Sequence, residues 1–439
     1  MKRQAEKQRC SEMLRTFASL FRNKETRNRI FFTLAMLLIY RVGSAIPVPG
    51  VDAAALGSQI QDNTIFSIMN MLGGGALERM SVFAMGVHPY ITASIIIQLL
   101  SMDVIPALTE MAKSGQTGRM KMDRITRYLG VVLAFVQAYF LVYGFDKRYG
   151  ILENPTIAGY LYTATVLTAG TMFLIWLGDR ISMKGIGNGL SILIFSGIVA
   201  NMPASFVQVY NILAGGASQS ELFNGILQFV LYCALYLAII IFVIIMETAV
   251  RKIPIQYTNS SNLRGGSDIT FLPFKINSAS VIPVIFAQSI MMAPQIVISF
   301  FNTDLYNKLS SFLSLTSPTG LIIYAVLTVL FTFFYTDLQV DPDKIAENLG
   351  KSGAYIPGIR PGSETRTYLR KVLNRITVLG AAALTLVAII PYLLPMFTSL
   401  PQSTAIGGTG IIIVVGVAME TYAQLKGQLT AKQYKGFIH

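Results

Sequence analysis

The side chains that most often carry out catalysis or bind metals are few in this sequence and far apart. It contains two histidines, His88 and His439, and two cysteines, Cys10 and Cys233. No Cys-x-x-Cys or His-x-x-x-His pair is present, and neither a Gly-x-Ser-x-Gly nor a His-Glu-x-x-His motif occurs. The sequence therefore favours a protein that is not an enzyme and that needs no metal or cofactor.

The apolar segments contain no Asp, Glu or Lys near their midpoints. Ionisable side chains at membrane depth usually mark proton or ion coupling, so this pattern argues against most ion-coupled transporters. Amide side chains are scattered through these segments, and such groups more often join helices than bind ligands. Among them are Gln98, Gln137, Asn188, Gln228, Gln288 and Gln295.

The composition predicts an all-α integral membrane protein. Of the 439 residues, 53% are hydrophobic and only 13% are charged, whereas a soluble domain has about 25% charged residues. A helix needs roughly 20 mainly apolar residues to cross a bilayer. The sequence predicts ten transmembrane helices, at 30–47, 81–100, 126–145, 157–178, 187–207, 222–246, 279–300, 318–336, 374–394 and 404–422.

The basic residues predict the orientation of these spans. Segments on one side, which include both termini and the span-edge residues Arg127 and Arg375, hold 30 of the 35 Lys and Arg residues, and Arg41 lies well inside a span. Cytoplasmic loops of membrane proteins carry such an excess. We therefore expect a multi-pass protein with both termini in the cytoplasm, and the polar first 29 residues do not look like a cleavable signal peptide.

The predicted spans divide into two groups of five, which suggests two pseudo-symmetric halves related as an inverted repeat. The predicted regions are a cytoplasmic segment 1–29, an N-terminal half 30–207, an external hinge 208–221, a C-terminal half 222–422 and a cytoplasmic tail 423–439. A secondary transporter with a five-plus-five repeat is the alternative function. An intramembrane protease would need a Ser/His or Asp pair, which the spans lack.

Two cytoplasmic loops, 248–277 and 337–373, are longer than ordinary connections. Both are basic, so we expect them to bind an acidic or anionic partner. The alternative is that their charges only set the orientation of the neighbouring spans.

A short apolar stretch, 62–72, is followed by Gly73, Gly74 and Gly75. It is too short to cross a bilayer, and three glycines predict a flexible connection. The stretch is therefore expected to be a helix that folds back into the membrane domain as a movable plug. A helix that lies on the bilayer surface is the alternative.

Several longer motifs resemble the SecY family, the channel-forming subunits of the bacterial Sec protein translocase. Examples are Ile-Pro-Val-Pro-Gly at 46–50 and Ile-Pro-Gly-Ile-Arg-Pro-Gly at 356–362. Further matches lie at 74–86, 89–95, 127–129, 185–189, 281–287, 346–349 and 407–409. The resemblance extends from about residue 13 to the end of the chain.

The resemblance implies a protein-conducting channel that passes unfolded secretory polypeptides and releases transmembrane segments sideways into lipid. Its hourglass pore would narrow at an aliphatic ring. The ring maps to Val87, Ile91, Leu190, Ile194, Ile285 and Ile413. The plug maps to Ile65, Phe66, Ile68, Met69 and Leu72 in helix 62–72, with a hinge at Gly73, Gly74 and Gly75.

The resemblance also implies a lateral gate and docking sites on the cytoplasmic loops. The gate maps to Ser94, Gln98, Arg127, Gln288 and Ser289, and the docking sites map to Arg251, Lys252, Arg264 and Arg360. Implied partners are the small membrane subunits SecE and SecG, the SecA ATPase, the ribosome, signal peptides and nascent chains, and the lipid of a bacterial cell membrane. Nucleic-acid contact is expected only with ribosomal RNA. Two departures from the family pattern are a loop tip with Arg264 as its single charge and His88 beside the ring.

Overall fold

The computed structural model describes residues 23–52, 64–102, 104–215, 222–257, 270–301, 309, 312–315, 317–397 and 403–435. Within these ranges the chain is mainly helical and includes one small sheet. The helices before the sheet are α1 Lys24–Gly43, α2 Thr64–Leu72, α3 His88–Leu100, α4 Pro106–Lys113, α5 Gly115–Tyr149, α6 Ile157–Lys184, α7 Gly189–Leu213 and α8 Leu222–Thr248. The remaining elements are β1 Val250–Tyr257, β2 Thr270–Lys275, α9 Ile282–Phe301, α10 Pro318–Gln339, α11 Pro342–Lys351, β3 Ala354–Tyr355, α12 Ser363–Phe397 and α13 Ser403–Lys435.

Each of the ten predicted spans overlaps one helix, namely α1, α3, α5 to α10, α12 or α13. In the described ranges, six of these helices are long and apolar enough to cross a membrane: α5, α6, α7, α8, α10 and α12. Two more, α3 and α9, are apolar but have shorter apolar segments. The all-α membrane fold is confirmed, and the count of ten crossings stays a prediction.

The second predicted span, 81–100, becomes helical only at His88. Before that residue the backbone pairs with the segment after α1. The Val48 N–H donates to the Met80 carbonyl at 2.9 Å, and the Val82 N–H donates to the Ile46 carbonyl at 3.0 Å. These hydrogen bonds compete with helix formation, so the span begins as a series of turns.

The chain forms two compact units. The first unit comprises Met1–Pro203 with Val417–His439, and the second comprises Ala204–Gly416. Helix α6 is largely buried within the first unit. Its buried residues recur at helical spacing, and they include Ala164, Leu167, Thr171 and Leu174. A Cβ at Gly170 would collide with the carbonyl of Val82, so this glycine permits a close approach of the backbone.

In the second unit, α9, α10 and α12 pack together. Helix α10 buries three threonines, Thr328, Thr332 and Thr336. Each hydroxyl donates to the carbonyl four residues earlier, at 2.7 to 2.8 Å. Burying a hydroxyl without a partner is costly. The helix itself therefore supplies the hydrogen bonds that let these polar side chains lie in an apolar interior.

Within the second unit, the two long loops fold together into one structure. We call it the sheet subdomain (β1, β2, α11, β3 and the first turns of α12). Strand β1 is central, antiparallel to β2 on one side and to β3 on the other. Its core is formed by Ile253, Ile255, Phe274, Ala346, Leu349, Ala354, Ile356, Leu369, Leu373 and Ile376. The predicted loops 248–277 and 337–373 are therefore parts of a single folded structure.

Candidate functional site

Helix α2, the predicted plug, is packed inside the first unit. Phe66 and Met69 are each 5% exposed, and the Phe66 ring meets Phe145 of α5 edge-on with 4.7 Å between centroids. Leu72, at the end of the helix, is half-buried. The side chains of Ile65 and Ile68 lie outside the described residues, as does the predicted start of the plug at 62–63.

The glycines after α2 are restrained by backbone conformation and by packing. Gly74 and Gly75 have φ values of +71° and +82°, which L side chains rarely adopt. Gly73 and Gly74 are buried. A Cβ at Gly74 would lie 3.0 Å from the Cα of Gly197. In this conformation the segment is tightly held, and the predicted hinge motion stays a prediction.

Two side chains of α1 bind the backbone at this turn. The Tyr40 hydroxyl donates to the carbonyl of Gly73 at 3.0 Å, and Arg41 Nη1 donates to the carbonyl of Gly74 at 2.8 Å. The prediction of functional residues from the sequence missed both. The sequence did contain an indication of Arg41, because it is a single charge within an apolar span, and charged residues at such positions are usually functional.

Asn70 and Glu78 close the turn around the glycines. Asn70 Nδ2 donates to Glu78 Oε2 at 3.1 Å, and the Glu78 N–H donates to Asn70 Oδ1 at 3.0 Å. The Gly75 N–H also donates to the Asn70 carbonyl at 2.8 Å. We call residues 70–78, together with Tyr40 and Arg41, the plug base. Its reciprocal bonds make 70–78 a closed loop.

The predicted pore ring draws on both units. In the first unit, Val87 is buried immediately before α3, and Ile91 is half-buried in the first turn. On α7, Leu190 is half-buried and Ile194 is buried. Two residues come from the second unit: Ile285 is half-buried in α9, and Ile413 of α13 is 1% exposed. The ring as a whole stays a prediction.

The predicted gate residues make hydrogen bonds or ion pairs within their own unit. In the first unit, Gln98 Nε2 donates to Ser94 Oγ at 3.0 Å. Arg127 pairs with Asp179 of α6 at 2.8 Å. In the second unit, Gln288 is 2% exposed and donates to the Tyr392 hydroxyl at 3.1 Å, and Ser289 beside it is also buried. The Arg127 and Gln288 contacts join α5 to α6 and α9 to α12, whereas the Gln98–Ser94 bond lies within α3, and the role of these residues in a gate stays a prediction.

The predicted docking residues lie at the surface of the sheet subdomain. Arg251 and Lys252 are exposed on β1, and Lys252 Nζ lies 6.0 Å from the centre of the Phe271 ring. Arg360 is exposed in the segment before α12, where its carbonyl accepts a hydrogen bond from Thr365 at 2.9 Å. Arg264 lies outside the described residues. In the described ranges no three His, Cys, Asp or Glu residues cluster as metal ligands would.

Comparison with known proteins identifies relatives along most of the chain. A family model described as SecY matches residues 81–422. The chain is 45% identical over 429 residues to the protein translocase subunit SecY of Staphylococcus aureus strain NCTC 8325 / PS 47, covering 97% of this chain and 99% of the relative. It is 46% identical over 433 residues to the subunit of the same name from Halalkalibacterium halodurans, covering 97% and 100%.

Solved structures show the same fold. One concerns the plug domain of SecY, which stabilises the closed state of the translocation channel and maintains a membrane seal. It superimposes with a TM-score of 0.63 at 20% identity and covers 91% of each chain. Another is Sec61 in the canine ribosome-channel complex from the endoplasmic reticulum, with a TM-score of 0.62 at 19% identity and the same coverage.

Proposed function

The chain belongs to the SecY family, and we propose that it is the central protein-conducting channel of a Sec translocon. One observation carries the proposal: identity of 45% to a protein translocase subunit extends over 97% of this chain. In the part of the chain that the structure describes, six helices are long and apolar enough to cross a membrane, which makes it a multi-pass membrane protein. An unfolded secretory polypeptide would pass through the pore, and a transmembrane segment would leave sideways into lipid through a lateral gate.

The chemistry of the assigned ring residues suits such a channel. Side chains such as Val87, Ile194 and Ile413 offer no hydrogen-bonding groups. A narrow apolar constriction excludes water and therefore ions. Aliphatic walls also bind no passing side chain strongly, so polypeptides of many sequences could slide through. Helix α2, packed in the first unit, would block the pore when no polypeptide is present.

We assign the supply of energy to partners rather than to this chain, which acts as a channel without catalysis of its own. The sheet subdomain offers exposed Arg251, Lys252 and Arg360, whose charges suit an acidic protein or ribosomal RNA. We therefore propose that SecA and the ribosome dock there. The likeness to Sec61 in a ribosome complex supports the second of these partners. SecE and SecG would be the small membrane subunits.

The proposed location is the bacterial cell membrane with both termini in the cytoplasm, because of the distribution of basic residues. Reporter proteins fused at different positions test this orientation. A reporter inserted after Ser260 or Ser352 is expected in the cytoplasm, and one inserted at Gly216 is expected outside. A single reversed reporter would contradict the ten-span topology.

Reconstitution tests the function itself. The chain with its small membrane subunits would be incorporated into lipid vesicles, and a secretory precursor, the motor ATPase and ATP would be added outside. We expect the precursor to become protected from protease only when both ATP and the chain are present. Complete digestion of the precursor, under conditions in which a reconstituted relative protects it, would refute the proposal.

A further inference from the structure

We infer that Tyr40 and Arg41 form a latch that holds plug helix α2 in its closed position, and that the latch must release before the channel opens. This inference rests on the proposed function, because it assigns a position-controlling role to residues beside the plug. It adds two residues of α1 to the machinery, neither of which belongs to the pore ring, the gate or the plug helix.

The latch acts on the carbonyl groups that follow the end of α2. The Gly73 N–H donates to the Met69 carbonyl at 2.9 Å, and the Gly74 N–H donates to the Met71 carbonyl at 3.2 Å. In these bonds, carbonyl groups in the last turn of α2 accept from the N–H groups that directly follow the helix. The carbonyls of Gly73 and Gly74, just past the end of the helix, accept hydrogen bonds from Tyr40 and Arg41 instead. A cation is also favoured near a helix C-terminus, where the helix dipole is negative.

The close approach explains why this turn is made of glycine. Gly74 has a positive φ, and a Cβ there would lie 3.0 Å from the Gly197 Cα and 3.1 Å from the Tyr40 hydroxyl. Any side chain at this position would push the turn away from α1 and α7. The absence of a side chain is therefore what lets both carbonyls reach their donors.

The Asn70–Glu78 hydrogen bonds couple the glycine turn to helix α2. Because Asn70 and Glu78 bond to each other twice, residues 70–78 are expected to move as one body with α2. Holding Gly73 and Gly74 then holds the helix. If the glycines flexed freely instead, contacts at the turn would not control the position of Phe66.

The two donors differ in their exposure to solvent. The exposed one can exchange its carbonyl partner for water, so the latch can open and close. Tyr40 is 3% exposed, whereas Arg41 is exposed. When the turn leaves, water can replace the carbonyl as the hydrogen-bond partner of Arg41. A charge-assisted hydrogen bond of this kind is expected to favour the closed position roughly tenfold to a hundredfold.

A cross-link between plug and channel wall measures the latch directly. In a chain with Cys10 and Cys233 changed to serine, the pair Phe66→Cys and Phe145→Cys would be joined by a short thiol-specific reagent. We expect Arg41→Met to lower the cross-link yield of the resting complex and to raise its potassium chloride conductance in planar bilayers. Arg41→Lys should restore both in part, because an ammonium group can still donate to a carbonyl.

Two further variants separate a latch from a residue that only stabilises the fold. Arg27→Met, on the same helix, is the matched control and should leave yield and conductance unchanged. Tyr40→Phe removes one hydroxyl and should shift both in the same direction as Arg41→Met, by less. If Arg41→Met and Tyr40→Phe lower only the thermal stability, and yield and conductance stay at the parent values, the latch is refuted.

Deletion of residues 64–72 distinguishes failure of the latch from failure of the proposed function. If the deletion raises conductance while Arg41→Met does not, the plug acts as proposed and the latch is wrong. If the deletion itself leaves the bilayer silent, the plugged channel is wrong, and the latch is wrong with it.

Discussion

Arginine side chains have different surroundings in the plug base and in the sheet subdomain. In the plug base, Arg41 donates to the carbonyl of Gly74, so a charge completes backbone hydrogen bonding next to a helix end. In the sheet subdomain, Arg251 and Arg360 are exposed, whereas Leu369 belongs to the buried apolar core. The partner of a basic residue therefore decides its role: a hydrogen bond to a carbonyl fixes a conformation, whereas an arginine without such a bond can bind another molecule.

The largest expected effect concerns the core of the sheet subdomain. Leu369 is 1% exposed, and its change to alanine removes packing and leaves a cavity. We expect Leu369→Ala to lower the free energy of unfolding of the subdomain by about 2–5 kcal/mol. Limited proteolysis of the purified complex measures this as faster cleavage.

Leu379→Ala is the matched control for this prediction, because Leu379 lies on the same helix and is 64% exposed. It should leave cleavage nearly unchanged. If both variants are cleaved at the same rate, the sheet subdomain does not depend on its apolar core for stability.

A second prediction tests the plug base through its backbone. Gly74→Ala should favour the open plug, because a Cβ is strained at φ +71° and would press on Gly197. Gly50→Ala is the control, since Gly50 has φ +79° and nothing within 4 Å of its Cβ position. Each change should cost about 1–2 kcal/mol through backbone strain, and only Gly74→Ala should raise bilayer conductance. Equal conductance would show that the close approach is unimportant.

A third prediction concerns the proposed pore ring. We expect Ile413→Asn to make the channel leakier to small ions and more permissive to poor signal sequences. Ile413 is 1% exposed, and an unpaired buried amide costs about 1–3 kcal/mol. Single-channel recording of the variant, with Ile413→Leu as the control, measures the leak.

Removing residues 64–72 in the Ile413→Asn background should enlarge the leak further, because the plug would otherwise mask part of it. A variant that stays as silent as its parent, with and without the plug, would show that Ile413 does not belong to the ring.

The smallest expected effect on stability is at the exposed arginine. Arg360→Glu should change the free energy of unfolding by no more than about 0.5 kcal/mol, as is usual for surface substitutions. It should nevertheless reduce post-translational export sharply and leave insertion of the chain intact, because it reverses a charge offered to a partner. Pulse-chase export assays measure this, and Arg360→Lys should retain export. Normal export by Arg360→Glu would remove this residue from the docking site.

Local sequence patterns predict the helices of this protein but not its sheet. The helices that carry the predicted spans follow from local apolar runs, because desolvation of about 20 consecutive residues is a property of the segment itself. The sheet does not follow from such runs. Strand β1 pairs Gln256 with Tyr355, and the loops that contain them are separated by α9 and α10, so no local pattern predicted their pairing.

The sequence alone determined the membrane class, the approximate positions of the apolar helices along the chain and the existence of a short apolar segment before three glycines. Hydropathy and glycine content are local properties and can be read without knowing the fold. The tertiary structure alone decided that Tyr40 and Arg41 bind carbonyls 33 residues away, and that Gly74 faces Gly197. These contacts depend on how helices pack, because a hydrogen bond needs a partner at the correct distance in space, whatever its distance along the chain.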